Sequence, residues 1–181
     1  MYKVTNNGLR WLWITALVVV FDQWSKHLAD TRLAYGVPNE IFPGFNLTLA
    51  YNRGASWGFL HGASGWQRWL FVGLTVFICV VLINWLRRLP ADARWLAASF
   101  TFIIGGALGN VWDRLQLGYV VDFIQVVFGS WPFPTFNIAD SAISIGAVML
   151  IIDYLRGGYS RLPADAEQDQ PHTPSKGEIN D

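Results

Sequence analysis

Two aspartates, Asp122 and Asp140, are the residues whose type and spacing point most directly to chemistry. Both lie in one stretch, Gly118 to Ser144 (GYVVDFIQVVFGSWPFPTFNIADSAIS), among apolar and aromatic neighbours. The run Gly129-Ser130-Trp131-Pro132-Phe133-Pro134 between them is turn-forming and folds one back towards the other. Asp140 stands near the start of a long apolar run, Ile138 to Leu155, where a carboxylate is costly. Two close carboxylates with no metal ligands around them suggest an acid–base pair. Like charges raise one pKa, so the pair holds a single proton. The ionised member then takes a proton from water while the protonated one polarises a carbonyl. That is peptide hydrolysis without a covalent intermediate, although spacing alone leaves other chemistries open.

The elements that must position this pair are membrane helices. The 181-residue chain is 52% hydrophobic and 15% aromatic but only 14% charged, well below the charge of soluble domains. Four apolar segments approach the length of a bilayer span, about 20 residues: residues 9–26, 69–86, 95–112 and 138–155. Trp11, Trp24, Trp69, Trp85, Trp95 and Trp112 sit near their ends, as an interfacial belt requires. No small-residue cleavage site follows the first segment, so it reads as a retained span rather than a signal peptide. Eight of the thirteen basic residues fall on one side, including Arg87 and Arg88, which puts both termini in the cytoplasm. Residues 28–67 then form the large outer loop, where Asn46 to Asn52 alternates as a strand and calls for a small sheet at the membrane surface. The expected fold is thus a membrane all-α domain over 1–156, with four spans and a small outer-face sheet between the first two. Residues 157–181 read as a disordered cytoplasmic tail. Thirteen acidic residues balance thirteen basic ones, which leaves no nucleic-acid footprint. The single cysteine, Cys79, sits in an apolar run and reads as a packing residue.

Alternating span direction brings the polar residues of the spans to one face. Asp22 and Lys26 end the first span, Asn110, Asp113 and Arg114 end the third, and Asn137 and Asp140 begin the fourth. Asp122 falls in the short outer connection and Asn52 in the outer loop. Asn137, Asp140 and Ser144 share one helix face, while Asp22/Lys26 and Asn110/Arg114 are i, i+4 pairs. Gly105 and Gly109 allow close approach of the third span to a neighbour. Each group also has a plain structural reading. Asn137 caps the fourth helix, Asp22–Lys26 is a structural ion pair, Asp113 beside Arg114 is an interfacial charge, and Asp153 marks a span boundary. None of these readings explains why the groups focus on one apolar, aromatic-walled spot.

Competing chemistries fit less well. Gly54-Ala55-Ser56-Trp57-Gly58 and Gly62-Ala63-Ser64-Gly65 match serine-hydrolase patterns, but the later histidines are only His61 and His172, and no Ser…Asp…His order follows. Lys26, the one lysine near a span, pairs with Asp22 rather than serving a serine. His27, His61 and His172 lack zinc-ligand spacing, so no metal is expected. A transporter or channel using the carboxylates as ion or proton sites is the main alternative. It requires polar groups through the full bilayer depth, and the inner halves hold little beyond Asn84. A scaffold packing through its glycine face leaves the polar cluster unexplained.

Five blocks carry a resemblance: Asp22-Gln23-Trp24-Ser25-Lys26, Asn52 to Gly58, Gly105 to Arg114, Val120-Val121-Asp122-Phe123-Ile124 and Phe136 to Ser141. In this order and topology the chain resembles bacterial lipoprotein signal peptidase, signal peptidase II, from the first span to the fourth. Trp57 stands where phenylalanine is commoner in that family. The resemblance implies that Asp122 and Asp140 are the catalytic dyad. It implies that Asn52, Gly54, Asn110, Arg114 and Asn137 shape the site and hold substrate, and that Asp22 and Lys26 support it. The implied activity is removal of the signal peptide from diacylglyceryl-modified prolipoproteins, just before the lipidated cysteine, at the outer face of the inner membrane. It implies no cofactor and inhibition by globomycin; membrane lipid is the expected surrounding and a monomer the expected state. The glycines at 54, 58 and 62 suit a mobile lid over the site.

Overall fold

The computed structural model describes residues 7–54 and 66–157. A 3-10 turn, Asn7–Trp11, leads into α1, Leu12–Arg32. Strands β1 (Asn39–Phe42) and β2 (Phe45–Asn52) follow, then α2 (Trp66–Arg88) and α3 (Arg94–Gln116). The chain continues through β3 (Val120–Phe128), β4 (Trp131–Pro132) and α4 (Ile138–Leu155). Three of the helices, α2, α3 and α4, are long and apolar enough to cross a membrane. The fourth expected span, α1, has the length at 21 residues, but its second half carries Asp22, Gln23, Lys26 and His27. α1, α2 and α3 also run beyond the expected segments, because polar residues such as Arg32, Arg88 and Gln116 extend the helices past their apolar stretches.

α3 is the central post. It packs against α1, α2 and α4, and 61% of its apolar window is buried, against 17% for α2 and 22% for α4. The outer helices therefore turn large apolar side chains outward: Trp69, Leu74, Phe77 and Val80 on α2, and Val148, Ile151 and Leu155 on α4. Such faces suit hydrocarbon, and with lipid outside, close packing rather than water exclusion must join the helices. Small residues on α3 provide it. Gly105 lies against Val18 of α1, and a side chain on Gly106 would run into the Ala139 carbonyl of α4. At the end of the bundle away from the sheet, Leu82, Leu86, Leu89, Leu96, Phe100 and Ile104 form an apolar core between α2 and α3.

The sheet differs from expectation. It has four antiparallel strands in the order β1-β2-β3-β4, so half of it comes from the α3–α4 connection rather than from the α1–α2 loop alone. Residues 120–128, VVDFIQVVF, are dense in β-branched and aromatic side chains, the composition that suits a pleated, half-buried surface. β2 supplies the partner, with Asn52 opposite Val120, Ala50 opposite Asp122 and Leu47 opposite Ile124. Gly129, at φ +63°, turns β3 into β4. Phe136 then bridges back to Ile124 and delivers the chain to the start of α4.

Candidate active site

Asp122 lies on a strand, not in a loop. At its position on β3 it is 2% exposed, flanked by β2 on one side and by the Phe136 segment on the other. Asp140 occupies the first turn of α4. Asn137 joins the two. It is the N-cap of α4, and its side-chain oxygen accepts from the Asp140 N–H at 2.9 Å while Asp140 Oδ2 accepts from the Asn137 N–H at 3.3 Å. This capping box leaves the Asn137 amide nitrogen free to donate elsewhere. Nδ2 donates to Asp122 Oδ1 at 2.6 Å, with longer bonds to Asn110 Oδ1 (3.2 Å) and the Val121 carbonyl (3.3 Å). The capping role expected of Asn137 and its role in the site are therefore one and the same.

The other expected residues converge here too. Asn110 Nδ2 donates to Asp140 Oδ1 at 2.7 Å. Asn52, at the end of β2, donates to Asp122 Oδ2 at 3.1 Å, and its own Oδ1 accepts from the Gly54 N–H at 3.1 Å. Gly54 thus holds Asn52 rather than the carboxylate itself. Arg114 lies over the Phe71 ring, 5.1 Å from its centroid, and donates to the Asn110 carbonyl at 3.4 Å. Its charge acts on Asp140, Asp122 and Asp113 alike. Ser144, expected on the Asp140 face, donates to the Asp140 carbonyl and contributes no charge to the site. Beside Asp140 opens a groove of about 590 Å³ walled by Phe133, Pro134, Phe136, Ile143 and Ile145.

Asp22 and Lys26 do form an ion pair, at 2.8 Å, but a larger one than expected. Asp113 closes on the same ammonium at 2.9 Å. The interfacial reading of Asp113 is therefore corrected: it is 2% exposed and faces inward. Its i+3 spacing from Asn110, which puts both on one side of α3, was the available signal. Asp153, two residues from the end of α4, is 8% exposed. Lys26 is committed to Asp22, Asp113 and Asn110, so no donor remains for a serine. Among the described residues no His, Cys, Asp and Glu side chains group as metal ligands. The serines of the two glycine-serine motifs, Trp57, the lid glycines 58 and 62, and the tail from 158 lie outside the described residues.

Burial, and next the charge of Asp140, push Asp122 up from 3.8 to about 7, against the amides of Asn52 and Asn137, which favour its ionised form. Asp122 thereby keeps a proton to near neutrality, as a general acid in hydrolysis must.

Residues 14–156 match the family model described as signal peptidase (SPase) II. A lipoprotein signal peptidase of Pseudomonas paraeruginosa is 49% identical over 150 residues, covering 82% of this chain and 89% of that protein. One from Alteromonas mediterranea is 46% identical over 153 residues, 84% of each chain. A bacterial membrane enzyme solved by the in meso method superposes with a TM-score of 0.72 at 30% identity, covering 94% of both chains. The chain belongs to the signal peptidase II family of membrane aspartic peptidases.

Proposed function

We propose that this protein removes the signal peptide from diacylglyceryl-modified prolipoproteins, cutting just before the lipid-bearing cysteine, with Asp122 and Asp140 as the dyad. The observation that carries the reading is Asn137, which holds Asp122 through its side chain and Asp140 through its backbone N–H. Either carboxyl can then activate a water lying between them while its partner protonates the departing amine. Asn52, Asn110 and Arg114 surround the place where the scissile carbonyl arrives. The apolar groove beside Asp140 suits the hydrocarbon parts of the substrate. α1 serves as the fourth span, its polar half lying at the level of the sheet, and the site opens towards the periplasmic face with both termini cytoplasmic. The active unit is a monomer that needs no cofactor.

The test compares a lipidated and an unlipidated precursor, with and without globomycin. Cleavage of the lipidated precursor alone, blocked by globomycin, is expected. Equal cleavage of both would overturn the substrate assignment.

A further inference from the structure

Behind the dyad lies a buried charge cluster that the hydrolytic step does not use. Lys26 Nζ bonds Asp22 Oδ2 at 2.8 Å, Asp113 Oδ2 at 2.9 Å and Asn110 Oδ1 at 2.9 Å. Each of the two carboxylates also accepts from one backbone N–H. Asp22 Oδ1 takes that of Ala139 at 2.8 Å, and Asp113 Oδ2 takes that of Val121 at 3.2 Å. Ala139 immediately precedes Asp140, and Val121 immediately precedes Asp122. One ammonium therefore ties together two carboxylates, and each carboxylate grips the chain one residue before a member of the dyad. Gln23 closes the back, donating to Asp22 Oδ2 at 3.1 Å and to Asp113 Oδ1 at 2.8 Å. Gly109 leaves the room: a Cβ there would stand 2.5 Å from Asp22 Oδ2.

Stability does not account for such a cluster, since apolar packing of the same volume often serves as well as a buried ion triad. What fixed charges and directed hydrogen bonds supply is geometry. We propose that Asp113, acting with Lys26 and Asp22, is a positioning residue that sets the separation of Asp122 and Asp140 by holding the backbone before each. The cluster acts on β3 and α4 through the backbone N–H before each of the two aspartates. This inference rests on the dyad reading above.

The test uses the full chain in lipid bilayers with a lipidated precursor, measuring kcat, KM and thermal unfolding. Asp113→Leu removes the grip on Val121 and is expected to lower kcat about 100-fold, the scale of an ångström-level misplacement, with KM within about twofold of the parent. Asp113→Asn keeps an oxygen for the Val121 N–H and is expected to restore most of that loss. The double variant Lys26→Met/Asp113→Leu removes the ammonium together with one of its carboxylates and leaves Asp22 its bonds from the Ala139 N–H and Gln23, so it is expected to fold yet to keep the low kcat. Parental kcat in a folded double variant, a loss that appears in KM, or no recovery with asparagine would overturn the proposal. Failure of both leucine variants to fold would assign the cluster to assembly instead and overturn it too. Asp122→Asn, run alongside, separates the two readings: activity there sinks the dyad, whereas an inactive Asp122→Asn beside a fully active double variant sinks only the positioning role.

Discussion

At the end of α3 away from the sheet, Leu96, Phe100 and Ile104 pack with Leu82, Leu86 and Leu89 without a single charge among them. At the sheet end the same helix presents Asn110, Asp113 and Arg114 to Lys26, Asp22, Asp140 and Asp122. Apolar packing is non-directional and tolerates small shifts, so the far end can hold the helices together without fixing any one atom. Hydrogen bonds weaken steeply with angle and distance, so the sheet end places its atoms closely but depends on every partner being present. One helix thus joins a region built for cohesion to a region built for placement. Changes at the two ends are expected to separate stability from rate.

The largest effect belongs to the dyad. Asp122→Asn and Asp140→Asn are each expected to cut cleavage at least about 10³-fold while circular dichroism shows unchanged helix content. Substantial activity in either one would remove the contrast in its strongest form. Phe100→Ala, at the far end, is expected to cost about 3 kcal/mol of stability while kcat per folded molecule stays at the parental value. A matching fall in kcat would mean that the two ends are not separable. Gly109→Ala sits where the regions meet and brings a methyl group against the Asp22 carboxylate. It is expected to cost about 1–3 kcal/mol and to lower kcat as well, read from unfolding and kinetics on one preparation.

The smallest effect is a pH shift. The folded chain holds the Asp122 proton up to about pH 7, whereas an unfolded aspartate releases it near 3.8. Between those values the folded state binds more protons, so stability falls as pH rises through the window. The rate is likewise expected to fall on the alkaline side as the proton is lost. Asn52→Leu keeps the burial but removes a donor that favours the ionised carboxylate. It is expected to move the alkaline limb upward by about one pH unit, in a pH profile of kcat/KM. A downward shift would show that Asn52 does not act on Asp122.

Much of the sheet end could be read from residue order because alternating spans leave little choice about which helix ends meet. Asp122, Asp140, Asn110 and Asn137 were legible for that reason, and so was the cap of α4 by Asn137, though not the return bond from Asp140 that completes the capping box. β3 was not. Its run of apolar residues reads equally well as a connection, and only β2, more than sixty residues away in sequence, gives it a partner. Asp113 was obscured by Arg114: adjacent opposite charges suggest an interface, and sequence does not say that the helix turns one inward and the other onto Phe71. α1 presents the opposite case. Its charges lower its hydropathy as a span, yet they are what tie it to α3 and α4.

The cap on α4 has a consequence for assembly. Since Asn137 both starts the helix and bonds Asp122 and Asp140, the first turn of α4 cannot unwind without parting the two carboxylates. A chain whose last helix has not yet settled therefore lacks the pair, which depends on the final helix taking its place.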